Sequence, residues 1–174
     1  VNPRMRELIE ALEMDTLPKI REILAEGDID LDSDLLIGEE YDMDEPDEIP
    51  LLFYVIMKNV SLEAIKLLID AGMSLQRYTR EGVGALDIAI KFRRMDIVEL
   101  CAENGISLTQ SRRKSGMTPL MLAASFNDME MIRFLIERGA DPEAVDKYGM
   151  NALEYARKLG QERVREYLEE LKRC

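Results

Sequence analysis

The sequence contains no histidine. That excludes histidine-based zinc sites, Ser-His-Asp and Cys-His catalysis, and the ordinary proton shuttle near neutral pH. Cysteine is almost absent, with only Cys101 and Cys174. Cys101 lies in an apolar helical run and Cys174 ends the chain, so no disulfide between them is expected. The compartment reads as reducing, which places the chain in the cytoplasm (intracellular). No apolar run approaches the roughly 18 residues of a membrane span. The opening VNPRMRELIE does not read as a signal sequence, and Val1 in place of methionine suggests altered or removed residues there. No nucleophile–base pair and no phosphate loop can be found, so neither an enzyme nor a cofactor or metal requirement is expected. Basic residues are outnumbered, 23 against 35 acidic ones, giving a net charge of −12. That argues against non-specific binding to nucleic acid or anionic membrane, and a monomer is expected.

What is present is 174 residues with 47% apolar side chains, enough to bury a core. The acid is unevenly spread: residues 28–48 hold 11 acidic residues and no basic one, leaving −12 + 11 = −1 for the rest. The body is nearly neutral and carries one strongly acidic segment.

Self-similarity organises the remainder. Gly116 and Gly149 are 33 residues apart, and so are Leu120/Leu153, Ala123/Ala156, Met131/Val164 and Leu135/Leu168. Ile132 against Arg165 departs, as an exposed outer face on the last unit would require. Gly82 precedes Gly116 by 34, Gly105 precedes Gly139 by 34, and Gly72 precedes Gly105 by 33. Within one unit, Thr118 suits a helix N-cap and Pro119 the first helical position. Asn127-Asp128 break that helix and cap a second, in which Met131, Ile132, Leu135 and Ile136 form an apolar stripe and Gly139 ends it. One helix pair cannot bury both faces, so units of this kind stack.

The run GMTPLMLAA from Gly116, with the hairpin Gly139-Ala140-Asp141, resembles the ankyrin repeat family. The resemblance covers about five repeats, the first two and the last divergent. It implies an all-α fold, an ankyrin-repeat solenoid of stacked helix-turn-helix units with short hairpin loops. The chain is read as a single ankyrin-repeat domain over 1–174, with repeats at about 1–32, 46–78, 79–112, 113–145 and 146–174 and an acidic insertion at about 33–46. The second unit keeps Pro50-Leu51 and carries about two extra residues between its helices. The last, rich in charge, caps the stack. The family's histidine is replaced by Leu52, Asp87, Met121 and Glu154, and Gly84-Ala85 stands where Thr-Pro is usual.

The resemblance implies protein–protein recognition through the concave face and hairpin tips: an adaptor, inhibitor or chaperone-like partner of another protein. By offset from the repeat glycine, the candidate contacts are Val83, Met117 and Met150 just after it. Arg80, Lys114 and Tyr148 lie before it, and Lys91 near the end of a first helix. Four apolar residues, Met57, Phe92, Phe126 and Leu159, fall at the second helix-end position, and a shared offset in a stack makes one row. The competing reading folds them between units. Basic residues flank that row: Arg77, Arg80, Lys91, Arg93, Arg94, Arg112, Arg113 and Lys114. They read as a site for an acidic partner, as solvated loop charge, or as attraction to the acidic segment.

The insertion itself, with Asp34, Glu39, Glu40, Tyr41, Asp42, Asp44 and Glu45, reads as an extended hairpin or loose loop. It captures a basic partner, lies as a lid over the basic hairpins, or is a tolerated surface insertion. Asp28, Asp30, Asp32, Asp34 and Glu39 also fall at EF-hand-like positions, but Ser33 replaces the required glycine. The alternative function is therefore a metal- or ligand-responsive regulator acting through the acidic insertion.

Overall fold

The computed structural model describes residues 2–36 and 48–173, the side chain of Leu36 excepted. They form two compact units, Val1–Arg77 and Tyr78–Cys174. The fold class is all-α, a repeat of helix pairs, with one short strand pair among the described residues.

In the first unit, α1 (Pro3–Glu13) and α2 (Leu17–Glu26) pack as a pair. Pro3 opens α1 where its missing N–H costs nothing, and the Asn2 side chain accepts the Met5 amide at 2.7 Å. Gly27, at φ +69°, ends α2. β1 (Asp34–Leu36) then pairs antiparallel with β2 (Glu48–Pro50), with Leu35 opposite Ile49 and both buried. The acidic insertion, expected as an extended hairpin or loose loop, thus begins on a paired strand. Its remainder, including Glu39, Glu40, Tyr41, Asp42, Asp44 and Glu45, lies outside the described residues. α3 (Leu51–Met57) and α4 (Leu62–Asp70) complete the unit, with α4 packed on α2. Leu8, Leu12, Ile20, Ile23, Ile56, Ile65 and Leu68 are fully buried.

The second unit is three helix pairs of one pattern. α5 (Ala85–Lys91), α7 (Pro119–Ser125) and α9 (Ala152–Lys158) have seven residues each and pack on one another in that order. Each packs on its own second helix: α6 (Met95–Glu103), α8 (Met129–Glu137) and α10 (Glu162–Arg173). Ala89, Ala123 and Ala156 are fully buried in the first helices. Small side chains there allow the turn amides of Arg94, Asp128 and Gln161 to reach the carbonyls of those alanines, at 2.8, 3.2 and 2.9 Å. The residue before each amide, Arg93, Asn127 and Gly160, has positive φ. The expected stripe on α8 buries Met131, Ile132 and Leu135, and leaves Ile136 half-buried.

The helix starts differ as the sequence implies. The Thr118 hydroxyl accepts the Met121 amide at 3.3 Å and Pro119 fixes the first turn of α7. Gly84 offers α5 no side chain, although the Asp87 carboxylate accepts the Gly84 amide at 2.9 Å. We expect α5 to fray more: amide hydrogen exchange will be faster across residues 84–91 than across 118–124, and the reverse order would refute this.

The second repeat requires a correction. The Pro-Leu match puts Pro50 opposite Pro119, but Pro119 is the first helical residue of α7 whereas Pro50 is the N-cap of α3. The third helical residue of α3, at the position of Asp87, Met121 and Glu154, is therefore Phe53 rather than Leu52. The turn to α4 is one residue longer than its counterparts, not two. Val60 donates to the Val55 carbonyl and Asn59 takes the positive φ, as Asp128 and Asn127 do in the fourth repeat.

Candidate protein-binding site

The one-residue shift moves Met57. It is the last helical residue of α3, the counterpart of Lys91, Ser125 and Lys158, and it is half-buried. The next position, the helix C-cap, holds Phe92, Phe126 and Leu159, and in the first unit Met14 and Lys58. That position is apolar in every repeat but the second, which has Lys58. Met14, 76% exposed, was missed because the first repeat lacks the family's motif; the available signal was Asp directly after it, a residue type that tolerates the positive φ found at Asp15.

Within the second unit the three C-cap residues belong to one connected surface. Phe92 is 38% exposed, Phe126 half-buried and Leu159 51% exposed. The turns that carry them are tied together. The Arg93 guanidinium donates to the Phe126 carbonyl at 2.8 Å, and the Gln161 side-chain Nε2 donates to the Ser125 carbonyl at 3.1 Å. The Lys91 ammonium stands 5.7 Å from the Phe92 ring centre, a cation–π contact.

The hairpins form a second surface before the first helices. Thr79 donates to the Val83 carbonyl at 2.8 Å, and Asp146 to the Met150 carbonyl at 3.0 Å, closing each hairpin. Successive hairpins then join backbone to backbone, Lys114 to the Glu81 carbonyl at 2.9 Å and Lys147 to the Ser115 carbonyl at 3.0 Å. Arg80, Lys114 and Tyr148 project from these tips and are exposed, Tyr148 by 76%. Val83, Met117 and Met150 are half-buried. The Val83 and Met150 carbonyls close their hairpins, the Met117 amide donates to the Ser115 hydroxyl at 3.3 Å, and the Met117 sulfur accepts from Arg113 at 3.3 Å.

The last hairpin is built on Asp146. Its buried carboxylate accepts the Tyr148 amide at 2.9 Å, the Met150 amide at 3.0 Å and the Tyr155 hydroxyl. Burial pushes this carboxyl up, but the Tyr155 hydroxyl and the two amides together outweigh it and hold it below the usual carboxylate range. Burial and then the Asp146 hydrogen bond push Tyr155 up to about 12.

Much of the basic group is already engaged. Arg77 pairs with Asp34 at 2.6 Å and donates to the Asp32 carbonyl, so here attraction to the acidic segment is realised. Arg113 lies 3.4 Å from Asp87, Arg94 is buried against Asp96 at 3.0 Å, Arg93 is 3.6 Å from Asp128, and Arg112 stacks 4.5 Å from the Tyr78 ring centre. Burial raises the Asp87 carboxyl above its usual value, opposed by the Gly84 amide and Arg113. The hydrogen bond from Arg94 leads in lowering that of Asp96. Among the described residues Arg80, Lys114 and Lys147 form no ion pair.

Other sequence candidates are placed as follows. Asp28 lies 3.6 Å from Arg4, and the Asp32 carboxylate accepts the Ser74 amide at 2.9 Å, while Glu39 is outside the described residues. Among the described residues no group of three or more His, Cys, Asp or Glu side chains could hold a metal ion. The Cys101 thiol is buried, and burial with the nearby Asp87 charge pushes it up to about 12, so it stays protonated. No described helix is long and apolar enough to cross a membrane.

The sequence has known relatives. A family profile described as "Ankyrin repeats (3 copies)" matches residues 107–172. The Escherichia coli K12 ankyrin repeat protein YahD is 33% identical over 122 residues, 67% of this chain and 60% of that protein. The chain belongs to the ankyrin repeat family. An ankyrin repeat protein of Rickettsia felis is 27% identical over 137 residues, 78% of this chain and 42% of its own length. The human neurogenic locus notch homolog protein 2 is 32% identical over 94 residues, 54% of this chain and 4% of that protein. The chain thus spans less than two thirds of the length of each of these relatives. Ankyrin repeats are in general protein–protein interaction modules, a binding fold.

Proposed function

We infer that this ankyrin-repeat chain is a monomeric, cytoplasmic, non-enzymatic binding module for another protein: an adaptor, inhibitor or chaperone-like partner. The observation that carries the reading is the exposure of Phe92 and Leu159, with Phe126 between them, at one repeated turn position. Large apolar side chains left this accessible, where every other leucine and isoleucine with a described side chain is buried or half-buried, mark a contact surface. Lys91 beside Phe92, and Arg80, Lys114 and Tyr148 at the hairpin tips, supply a polar rim.

The test is affinity capture from the native cell with the intact chain and with Phe92→Ala/Phe126→Ala. The partner should be retained by the first and lost by the second, with thermal melting by circular dichroism establishing that the variant is folded. Loss of one hot-spot aromatic typically costs at least about 2 kcal/mol of binding, roughly 30-fold in affinity. Undiminished capture by a folded double variant would remove this surface from the function.

A further inference from the structure

We propose that the hairpin tips of the Tyr78–Cys174 unit bind an extended acidic segment of the partner protein, with carboxylates at about every third residue. This rests on the protein-binding reading above and specifies what the partner presents.

Three side chains carry the proposal. Arg80, Lys114 and Lys147 each follow the residue that opens a hairpin, Thr79, Arg113 and Asp146, and each precedes the hairpin glycine by two residues. All three are exposed. The backbone bonds between hairpins make the tips a continuous ribbon to which every repeat brings two extended chain segments. At about 4.8 Å for each strand, equivalent tip residues stand roughly 10 Å apart. An extended peptide rises about 3.3 Å for each residue, so every third side chain meets the next cation.

The local charge has the opposite sign to the chain's total of −12. Across residues 79–83, 113–117 and 146–150 the acidic side chains are Glu81 and Asp146, and the Asp146 carboxylate is buried on its own amides. Arg113 is drawn down to Asp87, so it does not belong to the row. Within these three stretches Glu81 is the one exposed acid set against Arg80, Lys114 and Lys147. At physiological salt, charge beyond about 8 Å is screened, so a bound segment feels the charge of this row more than the chain's total. Tyr148, next to Lys147, supplies an exposed aromatic surface for the peptide backbone.

The experiment uses the full chain and a fluorescein-labelled peptide carrying glutamate at every third position of a Gly/Ser frame. The comparison peptide has the same net charge with glutamate at every second position. By fluorescence anisotropy the first peptide should bind about threefold or more tightly than the second, and binding should weaken as salt is added. The Arg80→Glu/Lys114→Glu/Lys147→Glu variant should lose at least about tenfold in affinity. It keeps the backbone donors that join the hairpins, and an unchanged melting curve reports that.

Equal binding of the two peptides, or affinity unaffected by the charge reversals, overturns the proposal. Tighter binding of a single-stranded oligonucleotide also overturns it, by replacing protein with nucleic acid. If the peptide binds only after Glu39→Gln/Glu40→Gln/Asp42→Asn/Asp44→Asn/Glu45→Gln, the chain's own segment is the occupant and the partner assignment falls. Finally, cellular capture abolished by Phe92→Ala/Phe126→Ala but untouched by the tip reversals leaves the binding module standing and discards its acidic ligand.

Discussion

Gly82→Ala will destabilise the Tyr78–Cys174 unit by about 3–5 kcal/mol, whereas Gly149→Ala will cost only about 1 kcal/mol. Both glycines have positive φ, +87° and +73°, so the left-handed penalty of about 1–2 kcal/mol applies to each. The surroundings differ. A Cβ on Gly82 would sit 1.9 Å from the Arg112 carbonyl oxygen and 2.9 Å from the Arg113 Cα, both backbone, while a Cβ on Gly149 meets nothing within 4 Å. Neither neighbour is a flexible side chain, so the fourth hairpin must move bodily. That movement breaks the Lys114–Glu81 bond between hairpins, at about 1 kcal/mol, and disturbs the packing behind it. Urea denaturation of the three proteins, monitored by circular dichroism, gives the comparison. Equal losses for the two variants would show that the hairpins are not in close register.

The second large effect concerns Asp146. Asp146→Ala strands two amides and the Tyr155 hydroxyl, and the expected loss is about 2–4 kcal/mol; Asp146→Asn, which retains an acceptor, should lose about half of that. The pH dependence follows from the sign of the shift. The Asp146 carboxyl is held below its unfolded value of about 4, so the unfolded chain takes up the proton more readily. Its contribution is therefore present above about pH 4 and is lost as pH falls through the lower folded value. The stability difference between the natural chain and Asp146→Asn should shrink on acidification from neutral pH to about pH 3. Taking the difference removes the other carboxyls, including Asp87, whose raised value acts in the opposite direction. A difference that stays constant with pH would mean that the carboxylate charge is immaterial to the hairpin.

These two sites also show what could be read in advance. The period was legible because backbone geometry demands particular residues at fixed intervals. Gly82, Gly116 and Gly149 all have positive φ, and Ala89, Ala123 and Ala156 all sit where a turn amide approaches. The register of the second repeat was not legible from Pro-Leu, because proline suits both an N-cap and a first helical position. Asn59, the counterpart of Asn127, was the better marker, since its left-handed conformation fixes the turn. Charge pairing was the least accessible. Arg113 finds Asp87 and Arg77 finds Asp34 across separations of 26 and 43 residues, through contacts that exist only after the chain folds. Sequence could name eight basic residues near the candidate surface, but only packing decides which retain charge for a ligand.

The peptide-to-peptide joints between hairpins have a consequence for how such a chain diversifies. Because the cement is main chain, the outward side chains at 80, 114 and 147 contribute no donor or acceptor to those joints. They can be rewritten one at a time without loosening the masonry, so new specificities are reachable by single substitutions through intermediates that all remain folded.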